Sequence, residues 1–407
     1  MADEQPQNGL GPESEGQQNG AANGGVPRKG KKEACILGVG RAVPPQEVPT
    51  QQYLDFCIKS LQLDSQPKVV EALQKLADRS EIHTRYFCSA DPVRPREEWK
   101  ILPQDFPNSV PTMTVRNKAY CEEAPKLAIE ACKKAVADWG GDAKDITHII
   151  SVSCTGVQAP GIEFYVMEEL GIPRTAERLG INIMGCFGAF RALATAKALA
   201  KEDAKNRILI VCTEICSIHF QAELCLETFV GNALFGDGSG SVVVGARPTE
   251  KEKTLWIIEG TKSRILEHTP ELMTWEASDK GFLMKLSQKI PDSLKSQTPD
   301  FADQILEKRC AFSECGWAIH PGGKSILAGI EQVLGLQRWQ TECSWEVLKN
   351  YGNMSSATFL FVLDELRKKR PTEATAPWVV GMGFGPGLAL EGVLLRYPED
   401  SAPKGSE

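Results

Sequence analysis

The chain has 407 residues, of which 42% are hydrophobic, and its formal net charge is −7 at pH 7. This length exceeds the roughly 250–300 residues at which a single hydrophobic core stops growing, so we expect two halves. The acidic balance argues against non-specific binding to nucleic acid and to an anionic membrane surface.

The N-terminal sequence and the cysteines indicate a cytoplasmic protein. Residues 1–33 are rich in Gly, Asn, Gln, Pro and Glu without a periodic apolar pattern, which predicts a disordered tail. We expect no membrane span, because no run of about 18 uncharged apolar residues occurs. The 13 cysteines are odd in number and lack the spacing of a disulfide framework, which favours a reducing compartment.

From residue 34 onward, short apolar runs alternate with helical patterns, which is typical of an α/β fold. The predicted strands are 34–38, 146–153, 208–213, 241–245, 255–259, 317–319, 378–382 and 390–395. The predicted helices are 68–78, 118–139, 187–201, 325–333, 345–349 and 355–369. A charged segment at 247–253 separates an N-terminal half, 34–250, from a C-terminal half, 251–399.

Cys186 is the first candidate for chemistry. It follows an apolar segment, 179–184, and precedes an alanine-rich helix. The partial positive charge of a helix N-terminus favours a thiolate over a thiol. We therefore expect a nucleophile that is ionised near neutral pH.

His320 and Asn353 occupy similar positions in the C-terminal half. His320 follows a short strand, and Asn353 comes directly before a helix. Polar groups at the carboxyl ends of strands can converge on one pocket. A thiolate attacks a thioester, an imidazole pairs with that thiolate, and imidazole with carboxamide stabilises an enolate or oxyanion. The set suits acyl transfer followed by decarboxylative condensation.

Two other patterns are weaker. The side chains of Cys212, Cys216, His219 and Cys225 are of the types that bind zinc. Their spacing does not match a zinc knuckle, so we predict no metal site. The glycines of 383–387 are followed by a strand pattern rather than a helix, which excludes a nucleotide-binding loop.

Five motifs together resemble the type III polyketide synthases, the chalcone- and stilbene-synthase-like enzymes. They are Gly-Cys-Phe-Gly at 185–188, Phe-Gly-Asp-Gly at 235–238, His-Pro-Gly-Gly at 320–323, Asn-Tyr-Gly-Asn-Met-Ser-Ser at 350–356 and Gly-Phe-Gly-Pro-Gly at 383–387. The resemblance covers about residues 36–396. It implies a thiolase-like fold with two αβαβα-type halves, helix-covered mixed sheets and a homodimer.

The resemblance also implies a reaction. An acyl starter is loaded from CoA onto Cys186 and extended with malonyl-CoA, with His320 and Asn353 stabilising the enolate. The product is then cyclised to a pyrone, resorcinol or phloroglucinol type. CoA thioesters are substrates and no cofactor is expected. Phe235 matches an aromatic gate whose apolar ring disfavours a free carboxylate and so helps to expel carbon dioxide.

Further residues are assigned to substrate binding by the same resemblance. Lys75 and Arg79, spaced i,i+4, match CoA-phosphate contacts, whereas another basic family position falls on Ala72. The remaining positions assigned to the substrate are Cys154, Thr155, Cys216, His219, Trp275, Met284, Gly322, Gly323, Ser355 and Pro386.

The cavity positions depart from the plant chalcone synthases and are closer to bacterial, fungal or algal members. Cys154, Cys216 and His219 stand where threonines are usual, and Met284 replaces a second gating Phe. Ala159 lies in the loop expected to reach the partner's cavity, where plant enzymes often carry Met. We expect an aliphatic or malonyl-derived starter, with Trp275 blocking the growth of an aromatic polyketide.

Two alternatives remain at this point. A condensing enzyme resembling ketoacyl synthase III can share Cys, His and Asn, but the His-Pro-Gly-Gly and Gly-Phe-Gly-Pro-Gly motifs and Phe235 favour the polyketide synthase. A non-catalytic acyl-CoA-binding dimer would have lost the chemistry, although all three catalytic side chains are present.

Overall fold

The structure, a computed structural model, describes residues 33–371 and 373–399. Apart from Glu33, the predicted tail of residues 1–33 lies outside the described residues. The strands are β1 (Ala34–Ala42), β2 (Gln46–Pro49), β3 (Thr84–Phe87), β4 (His148–Ser153), β5 (Glu177–Asn182), β6 (Arg207–Glu214), β7 (Gly238–Ala246), β8 (Trp256–Ile265), β9 (Met273–Ser278), β10 (Gly281–Leu286), β11 (Gly316–Ile319), β12 (Trp378–Gly385) and β13 (Ala389–Arg396). The helices are α1 (Thr50–Ser60), α2 (Pro67–Arg79), α3 (Met113–Trp139), α4 (Ile162–Leu170), α5 (Gly188–Glu202), α6 (Leu226–Leu234), α7 (Ile290–Leu306), α8 (Lys324–Leu334), α9 (Arg338–Tyr351) and α10 (Thr358–Lys368).

One mixed sheet runs through both halves of the sequence. Its nine strands lie in the order β11, β12, β13, β8, β1, β7, β6, β4, β5. The pairs β4–β5, β4–β6 and β11–β12 are parallel, and the other pairs are antiparallel. Residues 247–253 lie between β7 and β8, which both pair with β1. The division near residue 250 stays a prediction.

Helices cover the sheet in layers. The side chains of α5 and α10 form one core with residues from strands of both halves. A second core joins α3 and α4 to the N-terminal strands, and a third joins α7, α8 and α9 to the C-terminal strands. In α5 the buried positions facing this core include Ala189, Ala192, Ala196 and Ala200, whose small side chains allow close packing. The α/β class expected from the sequence is confirmed.

Several elements differ from the sequence expectation. The apolar segment before Cys186 is the edge strand β5, whose residues are mostly exposed because only β4 pairs with it. The two-stranded sheet of β2 and β3, the hairpin β9–β10 and the helices α1, α4, α6 and α7 were not predicted. The short helix expected at 345–349 is the longer α9. No helix in the described residues is long and apolar enough to cross a membrane.

Candidate active site

A cavity of about 940 Å³ brings the candidate residues together. Cys186 and His320 follow strands, but Asn353 follows the end of α9, so the expectation that all three stand at strand ends is wrong for Asn353. Cys186, His320, Asn353 and Phe235 all line it. The sequence-predicted binding residues that also line it are Arg79, Cys154, Thr155, Cys216, His219, Trp275, Met284, Gly322, Gly323, Ser355 and Pro386. Lys75 and Ala159 lie outside this lining.

Cys186 sits in a single 3-10 turn, Gly185–Phe187, directly before α5. The preceding Gly185 has φ +76°, and a Cβ there would lie 2.6 Å from Pro386 Cδ. Glycine therefore allows the turn to bring the thiol beside the segment after β12. The Sγ atom lies 3.9 Å from Nδ2 of Asn353 and 4.0 Å from its Oδ1.

Two effects oppose each other on the protonation of Cys186. Burial raises the pKa of this thiol to about 11, against the lowering effect of Ser355 and Asn353. The helix N-terminus was expected to favour a thiolate, and burial opposes that ionisation, so the thiolate stays a prediction. The cost of desolvating the charge exceeds the stabilisation that the neighbouring dipoles supply.

His320 follows β11, and its backbone N–H donates to the Met382 carbonyl at 2.8 Å. The ring is buried, and neither nitrogen has a hydrogen-bond partner in the described part of the chain. Burial lowers the pKa of His320 to about 3, so the imidazole is neutral. The expected pairing of imidazole with Cys186 is not made as a hydrogen bond here. The unpartnered nitrogens leave His320 free to bond a bound substrate.

The side chain of Asn353 is held from both ends. Its Oδ1 accepts from the backbone N–H of Ser355 at 2.8 Å, and its Nδ2 donates to the Gly322 carbonyl at 3.4 Å. The two amide atoms lie about equally far from Cys186 Sγ, and because Oδ1 already accepts from an N–H group, Nδ2 is the atom with a donor to offer. The amide can therefore donate a hydrogen bond into the cavity beside the thiol.

Phe235 is fixed by buried charged groups that the sequence analysis missed. Arg85 is almost fully buried, and its Nη1 donates to the carbonyls of Asn232 at 2.9 Å and Phe235 at 3.3 Å. The Asp237 carboxylate accepts from the backbone N–H groups of Cys88 at 2.7 Å and Ser217 at 2.8 Å. Burial raises the pKa of Asp237 to about 6.

Glu214, at the end of β6, is a second missed residue. Its buried carboxylate accepts from the Cys154 N–H at 3.0 Å, from Thr155 Oγ1 at 2.8 Å and from the Ser356 hydroxyl. Burial raises its pKa. Cys154 Sγ contacts Glu214 Oε1 at 3.2 Å and Ser355 Oγ at 3.1 Å, which connects this carboxyl to the active-site floor. The sequence signal that could have revealed Glu214 is a charged residue directly after the apolar run 208–213.

One wall of the cavity is built from His219, Trp275 and Phe282. His219 Nε2 donates to the Thr155 carbonyl at 2.7 Å, and its Nδ1 accepts from the Phe282 N–H at 3.3 Å. Trp275 Nε1 donates to the Cys154 carbonyl at 2.6 Å, and its ring stacks on Phe282 with centroids 5.4 Å apart. Burial lowers the pKa of His219 to about 3. Since both ring nitrogens are occupied by backbone groups, His219 acts as a rigid wall.

Basic side chains are unequally placed at the rim. Arg79 lines the cavity and makes no ion pair or hydrogen bond within the described residues. Lys75 is exposed and pairs with Glu71 at 2.6 Å on the same helix. Lys324, which the sequence analysis did not single out, also lines the rim.

The other sequence-level candidates are placed as follows. Ala159 is exposed, in a loop that also exposes Val157. Cys212 is fully buried in β6, whereas Cys225 is exposed. Among the residues that the structure describes, no group of three or more His, Cys, Asp or Glu could hold a metal ion.

Comparisons with known proteins identify the family. The chalcone and stilbene synthase N-terminal domain matches residues 23–248, and the C-terminal domain matches residues 258–398. The chain is 34% identical over 375 residues to "Probable polyketide synthase 1" of Dictyostelium discoideum, covering 90% of this chain and 12% of that protein. It is 29% identical over 373 residues to type III polyketide synthase C of Arabidopsis thaliana, covering 89% of this chain and 95% of the relative.

Solved structures agree with the sequence matches. The C-terminal type III polyketide synthase domain of Steely1, a type I/III hybrid from Dictyostelium, superposes with a TM-score of 0.81 at 34% identity, covering 90% of this chain and 99% of that one. PKS-I from the brown alga Ectocarpus siliculosus superposes with a TM-score of 0.84 at 26% identity, covering 91% of this chain and 100% of that one. The chain belongs to the chalcone and stilbene synthase family, and it is a type III polyketide synthase by family. The thiolase-like α/β fold and the family expected from the motifs are confirmed.

Proposed function

We propose that this protein is an acyltransferase that loads an acyl starter from CoA onto Cys186, extends it with malonyl-CoA and cyclises the product. The observation that carries the proposal is the meeting of Cys186, His320 and Asn353 in one cavity of about 940 Å³. No resident cofactor is needed, because the CoA thioesters supply both the acyl groups and the leaving groups.

The loading step starts from a neutral Cys186 thiol and a neutral His320 imidazole. The thiol proton of Cys186 moves to a ring nitrogen of His320 as the sulfur attacks the starter's carbonyl carbon. The tetrahedral intermediate then expels the CoA sulfur, which takes the proton that His320 holds. Burial lowers the pKa of His320 to about 3 and so weakens it as a base, but the negative charge that develops beside it as the sulfur attacks favours the protonated ring.

Decarboxylation and condensation follow on malonyl-CoA. The bond to its carboxylate breaks, carbon dioxide leaves, and the electron pair forms an enolate whose oxygen accepts hydrogen bonds from His320 and from Asn353 Nδ2. The Phe235 ring disfavours the carboxylate and favours the neutral product. The enolate carbon then attacks the acyl carbonyl on Cys186 and displaces its sulfur. The chain, longer by two carbons, reloads onto the thiol.

The cavity lining fits an aliphatic or malonyl-derived starter best. The apolar side chains lining the cavity include Leu226, Val230, Met273, Leu283, Met284, Leu286 and Leu294. Trp275 is held by its bond to Cys154 and by Phe282, so it cannot swing aside for an aromatic chain. Pyrone, resorcinol and phloroglucinol products are all compatible with this space.

We also propose a homodimer. β5 is an edge strand, and exposed apolar side chains lie on it, directly after it and on α4: Leu179, Ile183, Phe164 and Tyr165. Pairing with a second copy would cover this edge and these side chains. Ala159 lies in a loop of the same half and would then reach the partner's cavity. A reducing cytoplasmic location suits an enzyme whose nucleophile must remain a free thiol.

The test is mass spectrometry of products formed from malonyl-CoA, alone and with short, long and aromatic acyl-CoA starters. The proposal predicts polyketides that disappear in Cys186→Ala. Turnover only with malonyl groups bound to a carrier protein would favour the ketoacyl synthase alternative. A protein that is inert to every thioester would be a binding dimer.

A further inference from the structure

The rim of the cavity carries an ion pair between two separate elements. Lys324 is the first residue of α8, and Glu81 follows the end of α2. Lys324 Nζ lies 2.8 Å from Glu81 Oε1, and both side chains are a little under half exposed. Lys324 and Ser80, the neighbour of Glu81, both line the cavity. The pair therefore joins the two sides of the rim.

Glu81 occupies a backbone position that a side chain rarely adopts. Its φ is +62°, directly after the last residues of α2, where glycine or asparagine is usual. A residue held in this region is an outlier that asks for a functional reason. The hydrogen bond from Lys324 holds the pKa of the Glu81 carboxyl below its usual value, and the charge of Arg338 acts in the same direction. Glu81 is an anion placed among cations at the rim.

We propose that Lys324 joins Arg79, which the family resemblance already assigns to the CoA phosphates, in binding them, and that Glu81 occupies Lys324 until those phosphates displace it. This inference rests on the proposed function, in which CoA thioesters enter this cavity. Arg79 is available because it has no ion pair in the described residues, and Lys75 is already paired with Glu71. Lys324 supplies a cation that Ala72 cannot.

Replacing Glu81 by a phosphate group at Lys324 costs little free energy. A half-exposed Lys–Glu pair is weak, because solvent screens it and two long side chains must be ordered. A phosphate group carries more charge than one carboxylate and offers more acceptor oxygens. The same carboxylate also repels phosphates that approach Arg79, so removing it should strengthen CoA binding.

The experiment measures binding of CoA and of pantetheine, which lacks the phosphates, to the full-length protein by titration calorimetry. We expect Lys324→Gln to weaken CoA binding about fivefold and Glu81→Gln to tighten it about threefold, with pantetheine unchanged in both. Glu81→Asn, which suits the left-handed backbone, should repeat the effect of Glu81→Gln. Lys126→Gln is the matched control, since Lys126 is exposed and pairs with Glu123 at 2.8 Å on α3.

The inference is overturned if Lys324→Gln leaves CoA binding unchanged or weakens pantetheine equally, or if both Glu81 variants weaken CoA binding. Calorimetry needs no turnover, so the result separates from the proposed function. A protein that makes no polyketide but shows the expected pattern supports the rim site and refutes the synthase. A protein that makes Cys186-dependent polyketides without the pattern refutes the rim site alone.

Discussion

Phe235 and Asn353 are joined by an isolated parallel β-bridge. The N–H of Gly236 donates to the Asn353 carbonyl at 3.0 Å, and the N–H of Asn353 donates to the Leu234 carbonyl at 3.0 Å. The aromatic ring proposed to destabilise the malonyl carboxylate and the amide proposed to bond the enolate are therefore fixed by one stretch of backbone. Their spacing cannot change without breaking this bridge.

Gly352→Ala should disrupt the bridge. Gly352 has φ +68°, and a Cβ there would lie 2.7 Å from the Leu234 carbonyl oxygen. We expect a loss of about 2–5 kcal/mol in unfolding free energy and a fall in product formation of at least about tenfold. Gly335→Ala is the control, because Gly335 has φ +65° with open space around it. It should cost about 1–2 kcal/mol and leave activity unchanged. Equal loss of activity in both variants would contradict the role of the bridge.

His320 should govern the reactivity of Cys186 near neutral pH. Burial, opposed by hydrogen bonds to Ser355 and Asn353, raises the pKa of the thiol to about 11, so without a base its thiolate fraction falls about tenfold for each pH unit below that value. We expect iodoacetamide to label Cys186 at pH 7 about a hundredfold more slowly in His320→Ala than in wild type. The two rates should converge as pH approaches about 11. Peptide mass spectrometry measures this, with exposed Cys225 as internal reference; superimposable profiles would exclude His320 as the base.

Glu214 should weaken the fold as it ionises. Its folded-state pKa is raised above the value in the unfolded chain, about 4.3, so the folded state binds the proton more tightly. Its contribution to stability is therefore complete below that unfolded pKa and declines as pH rises through the folded one. In Glu214→Gln this decline should be absent, and the lost acceptor for the Cys154 N–H or Thr155 hydroxyl should cost about 1–3 kcal/mol. Denaturant titrations across pH 4–7 test this, and parallel curves for both proteins would refute it.

Trp275→Ala should widen the cavity for bulkier starters. The substitution removes the stack on Phe282 and the bond to the Cys154 carbonyl. We expect kcat/KM for an aromatic starter, relative to an aliphatic one, to rise about tenfold. Trp275→Phe retains a ring at this place and should keep the wild-type preference. If both variants behave like wild type, Trp275 does not determine starter choice.

The exposed edge of β5 should be a subunit contact. Leu179→Glu combined with Ile183→Glu places two charges on this edge, which should shift the protein from dimer to monomer in sedimentation velocity. Ile265→Glu is the control, because Ile265 is also exposed and apolar but lies on β8, away from that edge. A monomeric wild type, or a dimer that tolerates both charges, would count against the proposed interface.

The sequence predicted the parts of the site that local pattern determines. Cys186 and His320 each follow a strand, Asn353 lies between the end of α9 and a 3-10 turn, and the turn residues Gly185 and Gly352 are visible in the sequence. The sequence analysis missed Glu214, Asp237 and Arg85 because charged residues are usually exposed. Only the folded chain shows that backbone N–H and carbonyl groups from distant segments converge on these three.

The burial of Cys186 and the edge position of β5 could not be predicted from the sequence for a different reason. The helix N-terminus before α5 is a local feature, whereas the burial that raises the thiol's pKa depends on walls contributed by the rest of the chain. The apolar residues of β5 indicate a strand, but they do not show that this strand lies at the edge of the sheet. That position follows from topology, since only β4 pairs with it.

The most direct measurement is intact-protein mass spectrometry of the purified chain after brief exposure to an aliphatic acyl-CoA without malonyl-CoA. The account predicts one acyl adduct on Cys186, absent in Cys186→Ala and discharged with product release when malonyl-CoA is added. An adduct on another cysteine, or polyketide formation that survives in Cys186→Ala, would contradict the central claim that this thiol carries the growing chain.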